Sequence, residues 1–394
     1  MPTSSAVRSA DSVAAPAALS SATTARFDDL DAMRGALMML GVVMHAAYVY
    51  SPSHPWVVSD PQPSVILDVV SHYLRMFRMP AFFVIAGFFS LMSLERHGAR
   101  TFLRTRLKRI GVPLAGALLT LNVVQLYLQQ LLLSEQPLTW TQFMLTELPR
   151  RFLAGELVQH LWFLNTLLLF FVAAVGVHRF LIPVAARWRR TRWVDGLRRE
   201  CRFMLLLPCV MAIWPLVERL GHGWADETLL CGFLSPDDFA CFFPYFVGGM
   251  WLFADPELQE QFFRPAPWQI AAFVPSIVVY MLLRSAHGLN IASFLKCYGE
   301  ILFTLLTMQG CFILFRKFAA RESKLSRYLA DGSYTVYLFH HLCVVALGAL
   351  LIGTPLAPEV KFLVIVITAL ATTLTIHHFL ILRNPLLRFV FNGK

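Results

Sequence analysis

Met33-Arg34-Gly35-Ala36-Leu37-Met38-Met39-Leu40-Gly41-Val42-Val43-Met44-His45-Ala46-Ala47-Tyr48-Val49-Tyr50 is an apolar run interrupted by two ionisable side chains. As a helix it is about 27 Å long, close to the thickness of a bilayer core. Arg34 and His45 stand eleven residues apart, about three turns, so both share one face and lie roughly 16 Å apart along the axis. A span of this kind places Arg34 at one membrane boundary and His45 well inside. An ionisable group at that depth costs about 3 kcal/mol on insertion scales and marks a functional site with a polar partner in the protein interior. The alternative is an interior histidine satisfied by a neighbouring helix.

Working outward, the rest of the chain has the same character. With 57% hydrophobic and 15% charged residues and a mean hydropathy of +0.59, it is too apolar for a soluble domain. Apolar stretches near spanning length fall at approximately 32–52, 64–94, 110–133, 159–182, 202–218, 239–254, 267–284, 296–316, 330–352 and 360–382. The fold class is therefore all-α, a polytopic transmembrane helical bundle of about ten spans.

Basic residues set its orientation. Arg96, Arg100, Arg104, Arg106, Lys108 and Arg109 fill one connection, Arg187, Arg189, Arg190, Arg192, Arg198 and Arg199 a second, and Arg316, Lys317, Arg321, Lys324 and Arg327 a third. All three fall on one side of a ten-span arrangement. The opposite loops are poor in Lys and Arg or offset them with Glu135, Glu147, Glu156, Asp226, Glu227, Asp237 and Asp238, so both termini are expected in the cytoplasm. The net charge of +10 is thus a topology signal. It is spread over short loops with no compact basic domain, which excludes nucleic acid as a partner and leaves the lipid bilayer.

Residues 1–26, rich in Ala, Ser and Thr, read as a disordered cytoplasmic tail, and 27–394 as one transmembrane domain. Cys231 and Cys241 flank or lie in an outer loop and can pair in an oxidising compartment; the other cysteines read as small apolar fillers. His340-His341 and His377-His378 lack the i, i+4 spacing of a helical metal site, so no metal is expected.

Depth groups the remaining polar residues. Arg75 and Arg78 share a face of the second segment; Arg75 reads as snorkelling outward, whereas Arg78 lies near mid-membrane and needs a carbonyl or carboxylate. Glu300, the only carboxylate in its stretch, can pair with Arg78, orient a histidine, or stay wet at the surface. His160 and Trp162 open the fourth segment at the outer boundary, where a tryptophan suits the interfacial belt. His340 lies about 15 Å from the inner end of the ninth segment, a depth similar to that of His45. Adjacent helical side chains diverge by about 100°, so at most one of His340 and His341 is expected beside Tyr337. Arg106 and Arg109 share a helix face on the inner side, which suits bidentate phosphate binding, although positive-inside topology alone also accounts for them. Together these residues suggest an outward-opening polar cavity around His45, Arg78 and His340 above a basic inner surface, usable by an enzyme or by a transporter.

Several stretches, in this order and spacing, resemble the integral-membrane acyltransferase 3 family. They are Leu30-Asp31-Ala32-Met33-Arg34-Gly35 through His45; Phe77-Arg78-Met79 followed by Phe82-Phe83-Val84-Ile85-Ala86-Gly87-Phe88-Phe89-Ser90; and Arg106-Leu107-Lys108-Arg109-Ile110-Gly111-Val112-Pro113. His160-Leu161-Trp162-Phe163-Leu164, Tyr337-Leu338-Phe339-His340-His341, Asn384-Pro385-Leu386-Leu387-Arg388-Phe389 and the Tyr50-Ser51 and Trp56 stretch are similar to a branch that succinylates osmoregulated periplasmic glucans. The likeness runs from about residue 27 to the C-terminus.

The resemblance implies an O-acyltransferase of the bacterial inner membrane with cytoplasmic succinyl-CoA as donor substrate, no permanently bound cofactor, a periplasmic glucan as acceptor, and other glucan biosynthesis proteins as partners. It implies His45 as catalytic base or acyl carrier, with Arg78 stabilising the oxyanion or holding the succinyl carboxylate and His340 beside them. Arg34, Arg106 and Arg109 would bind acyl-CoA, and Trp56, His160, Trp162, Glu300 and Tyr337 the acceptor. Acetylation of another surface polysaccharide, saccharide transport and a non-catalytic role beside a glucan synthase stay open. For transport, no corresponding pair of Gly/Pro-interrupted segments is evident.

Overall fold

The computed structural model describes residues 27–189, 191–220, 229–288, 290–319 and 323–394. The tail before Phe27 and the loop charges Arg190, Asp226, Glu227 and Arg321 lie outside the described residues. Among those described the chain is helical, and the sole extended pairing is an isolated bridge between Leu229 and Leu234.

The first helix, α1 (Asp28–Tyr48), opens with Asp28, Asp29 and Asp31, which complement the positive end of its dipole. Ser64 caps α2 (Val65–Arg106) by accepting from the Leu67 amide at 3.4 Å. After short pieces comes α3 (Val123–Leu133), then α4 (Trp162–Gly176) and α5 (Pro236–Ala254), the last started by the Ser235 cap and Pro236. The bundle is completed by α6 (Pro267–Leu282), α7 (Ile291–Phe318), α8 (Lys324–Leu351), α9 (Pro358–Ile376) and the terminal α10 (Pro385–Asn392).

Among the described residues six helical stretches are long and apolar enough to cross a membrane: Asp28–Tyr48, Val65–Leu133, Gln159–Trp188, Ile291–Phe318, Ser326–Leu351 and Pro358–Ile381. Pro256–Phe262 and Pro267–Leu282, bent by 62°, pass together as a seventh. The expected segment at 202–218 is broken into Phe203–Met211 and Ile213–Leu220, and that at 239–254 lies in α5; neither meets the same measure.

The Val65–Leu133 stretch is two arms. Arg106 Nη2 donates to the Phe89 carbonyl at 3.4 Å, whereas in an unbroken helix those residues would stand about 25 Å apart. The chain therefore reverses at Gly98, whose φ of 74° and ψ of 164° lie in a region essentially reserved for glycine. A Cβ at Gly98 would meet nothing within 4 Å, so Gly98→Ala isolates backbone strain of about 1–3 kcal/mol. The expected result is a thermal midpoint lowered by several degrees in detergent, read by fluorescence-detected unfolding; an unchanged midpoint would refute this account of the turn.

The two arms and α4 meet around aromatic rings. Phe83 packs on Phe163, Phe170 and Phe242 at 5.1, 5.0 and 5.1 Å, and Phe102 on Phe171 at 5.6 Å. Helices α2 and α5 touch backbone to backbone: a Cβ on Gly87 would collide with the Phe246 carbonyl, and one on Gly249 with that of Val84. Such small-residue crossings replace the hydrophobic drive that a bilayer does not supply.

One end of the bundle collects the basic connections. Phe253 lies 5.1 Å from Phe88, which puts the following turn level with Arg106. There Asp255, 1% exposed, pairs with Arg198 at 2.6 Å and Arg189 at 3.9 Å, and Arg316 lies 4.0 Å over the Phe263 ring. Phe27, 5.1 Å from Phe88, and Lys394, 3.3 Å from Asp331, bring both ends of the described chain to this same end.

Candidate active site

Four histidines from three parts of the chain meet in the bundle interior. His45 on α1 has its ring centroid 5.3 Å from His340 and 4.8 Å from His341, both on α8. His160, on the turn before α4, stacks on His341 at 4.6 Å and meets His340 at 5.4 Å. His340, His341 and His160 are buried and His45 is partly open. Trp56, from the connection between α1 and α2, stacks on His45 at 5.7 Å and closes against His341 at 5.1 Å.

Hydrogen bonds fix the tautomers. His340 Nδ1 lies 2.7 Å from the Tyr337 carbonyl and 3.1 Å from that of Val336; carbonyls only accept, so Nδ1 carries the proton and Nε2 keeps its lone pair. His341 Nδ1 lies 2.9 Å from Gln125 Oε1, while Gln125 Nε2 donates to Gln159 Oε1 at 3.0 Å, giving His341 the same tautomer. His340 Nε2 and His45 Nδ1 are buried without a hydrogen-bond partner among the described residues. Leaving such atoms unmade is costly in a packed interior and marks the place where a reacting group can be received.

Arg78 stands beside them. It is 7% exposed, its Nε has no partner, and no described carboxylate pairs with it; its electrostatic neighbours are the hydroxyls of Tyr337 and Tyr48. A Cβ on Gly41 would collide with Arg78 Nη1 and stand 3.8 Å from His340 Nε2. Gly41 precedes His45 by one turn on the same face, so its missing side chain makes the room in which the guanidinium reaches the imidazoles.

The turn carrying His160 is held from α3, from Asn122 just before it, and from α8. Asn122 Nδ2 donates to the carbonyls of Leu157 and Val158 at 2.7 and 3.1 Å, Gln129 Nε2 reaches Gln159 Oε1 at 3.2 Å, and Tyr337 OH donates to the His160 carbonyl at 2.8 Å. Gln159 sits at a φ of 47°, a left-handed conformation that these tethers sustain.

Below this cluster a cavity of about 350 Å³ opens at the basic end. Its mouth carries Arg34, Arg106 and Arg109, and its lining continues to Met38, Phe82 and Tyr334. Met38 is about one turn from Gly41, Phe82 one turn from Arg78, and Tyr334 one turn from Tyr337. The cavity thus ends about one turn below the layer of Gly41, Arg78 and Tyr337, which adjoins the histidines. This cavity opens at the Arg34 end, and on the other side Trp56, itself half-buried, lies over His45.

Other expectations divide. Arg34, which also pairs with Asp31 at 3.1 Å, is gathered with Arg106 and Arg109. His45, Arg78, His340, His160, Tyr337 and Trp56 form one cluster. Trp162 instead stacks on Phe242 at 5.5 Å, because its side chain leaves the helix start away from His160. Glu300 has Arg75 and Lys296 as electrostatic neighbours, not Arg78. His340 lies beside Tyr337, with ring centroids 6.0 Å apart, while His341 turns to Gln125; the His45 ring contacts both. Cys231 and Cys241 are not joined in a disulfide, and Cys241 Sγ donates to Asp237 Oδ1 at 3.4 Å. Among the described residues no group of three or more His, Cys, Asp or Glu is placed to hold a metal ion.

A family model described as an acyltransferase domain, acyltransferase 3, matches residues 27–378. The chain belongs to the acyltransferase 3 family. This acyltransferase is 27% identical over 369 residues to glucans biosynthesis protein C of Salmonella gallinarum, covering 93% of this chain and 94% of the relative. The proteins of that name from Salmonella paratyphi B and Salmonella enteritidis are 27% identical over 368 residues, with the same shares covered. No solved structure matches the chain. Family and apolar helices together support a multi-pass membrane O-acyltransferase. The sequence did carry a signal for the acyltransferase's missed polar support, since Asn122, Gln125 and Gln129 recur at i, i+3 and i+7 on one face of an apolar segment.

Proposed function

We propose that the chain moves a succinyl group from cytoplasmic succinyl-CoA to glucose hydroxyls of osmoregulated periplasmic glucans, within the bacterial inner membrane and with both termini cytoplasmic. The observation that carries this reading is the arginine-mouthed cavity ending one turn beneath Gly41, Arg78 and Tyr337, the layer next to His45 and His340. The name of the Salmonella relatives supports glucan as the acceptor. The gathering of basic connections at the cavity end supports that end as the cytoplasmic one.

In this reading Arg34, Arg106 and Arg109 hold the 3′-phosphate and pyrophosphate of the donor, and the thioester arm enters the cavity. His45 takes the proton of the acceptor hydroxyl, whose oxygen forms a bond to the thioester carbonyl carbon. The C–S bond then breaks and the proton passes to the leaving thiolate of coenzyme A. Transfer through an acyl-histidine would use the same residues in two steps. Arg78 stabilises the oxyanion or holds the distal succinyl carboxylate. Trp56, Tyr337 and His160 shape the acceptor side, while Trp162 and Glu300 stand apart from it. No resident cofactor is invoked.

Mass spectrometry of periplasmic glucans tests this, using a strain deleted for the chain with and without the wild-type copy. Succinylated glucan only with the copy is the expected result. Acetylated polysaccharide in its place would change the acyl group and acceptor, and no acyl change at all would sink the reading. For the donor side, Arg106→Ala is expected to raise the half-saturating donor concentration about 10- to 100-fold, the loss of a charge-assisted contact. An unchanged donor dependence in purified protein would remove Arg106 from phosphate binding.

A further inference from the structure

The connection between α1 and α2 is a clasped strap. Its backbone turns back on the end of α1, with the Asp60 amide donating to the Val49 carbonyl at 2.8 Å and the Ser64 amide to that of Tyr50 at 2.9 Å. Pro52, Pro55, Pro61 and Pro63 remove backbone freedom from it. Val49 and Val58 rest on α8 at Gly348, 3.4 and 3.5 Å from where a Cβ would stand. Ser53 Oγ donates to Asp68 at 2.5 Å, and Ser64 Oγ to Glu359 at 2.5 Å.

One contact here is of a different kind. Lys361 Nζ on α9 donates to Asp60 Oδ2 at 2.8 Å, and both side chains are 1% exposed. The other Asp60 oxygen accepts from the Gln62 amide at 2.9 Å. Burying two charges gains little net stability over an apolar pair, but it commits the segment to one arrangement, since either charge left alone is heavily penalised. What this arrangement holds in place is Trp56, four residues before Asp60, stacked on His45 and edge-on to His341. Trp56 is itself only half-buried, so a sugar ring can meet its edge as the acceptor approaches.

We propose that Lys361 and Asp60 are positioning residues for the acceptor: their buried ion pair clasps the strap so that Trp56 stays seated over His45. This rests on the reading of His45 as the transfer histidine. The clasp itself can be judged without that reading.

The test uses full-length protein in nanodiscs and compares wild type, Lys361→Arg and the double variant Asp60→Asn/Lys361→Met, which removes both charges and keeps the side-chain volumes close. In the double variant, amide exchange at Asp60 and Ser64 is expected to rise tenfold or more. The half-saturating acceptor concentration should rise about tenfold with donor dependence unchanged, and Lys361→Arg should restore both. Unchanged exchange would overturn the clasp whatever the activity. Faster exchange with an unchanged acceptor dependence would overturn the positioning role. If the wild type itself transfers no acyl group, the proposed reaction fails while the exchange result still decides the clasp.

Discussion

Acyl transfer by the His45→Ala protein is expected to fall about 10²–10⁴-fold, the usual contribution of a positioned general base, at membrane levels equal to wild type. His45 is the partly open member of the imidazole cluster, it contacts His340 and His341 within 5.3 Å, and Trp56 covers it. His340 and His341 keep a basic Nε2, with their Nδ1 protons donated to the Tyr337 carbonyl and to Gln125, but both are buried, whereas His45 is partly open to an incoming hydroxyl. His45→Gln, which fills the same space, guards against a collapse caused by the cavity alone and is expected to be equally inactive. Glucan acylation undiminished in both variants would exclude His45 from the chemistry and return the chain to an accessory role beside a synthase.

The second large effect comes from adding a single methyl group. In Gly41→Ala the new Cβ would collide with Arg78 Nη1, too close for both to stay. The guanidinium must move, because the α1 backbone is fixed against α8 at Gly35, where a Cβ would already stand 3.1 Å from the Ala330 Cα. Displacing an oxyanion-stabilising charge by about 1 Å costs on the order of 100-fold in turnover. The expected result is a folded protein with wild-type donor affinity, measured by calorimetry, and turnover reduced about 100-fold. Retained turnover would mean that Arg78 has freedom to relocate, and would weaken its assignment to the transition state.

Helical segments were legible because apolar length is a one-dimensional property, and each segment expected from it lies on helical backbone. The turn at Gly98 was less so, since its basic surroundings read as an ordinary connection rather than a hairpin of helical arms. His45, Arg78 and His340 could be read because an ionisable group inside an apolar run is conspicuous at any depth. Depth says nothing about direction around the axis, however, so it leaves Glu300 open to Arg78, to a histidine or to water, whereas its neighbours are Arg75 and Lys296. The divergence of adjacent side chains separates His340, beside Tyr337, from His341, hydrogen-bonded to Gln125, but it cannot see that a ring from another helix, His45, touches both. Gly41 had no legible role, because a missing side chain acquires meaning only when the group occupying its place is known.

The cavity stops short of the histidines at Met38, Phe82 and Tyr334, and just above that collar sits Arg78, a buried cation with no described carboxylate beside it. A catalyst that serves two compartments faces a problem a soluble enzyme never meets: any water-filled route between them dissipates the ion gradients on which the cell runs. Moving one elementary charge through 100 mV is worth about 2.3 kcal/mol, and an apolar constriction backed by a fixed positive charge opposes the passage of protons and metal cations. In the proposed succinyl transfer the same arginine would attract the anionic acyl chain. In that reading a single guanidinium serves as insulation for the membrane potential and as bait for the substrate, so its loss would be felt in the energetics of the whole cell as well as in the product.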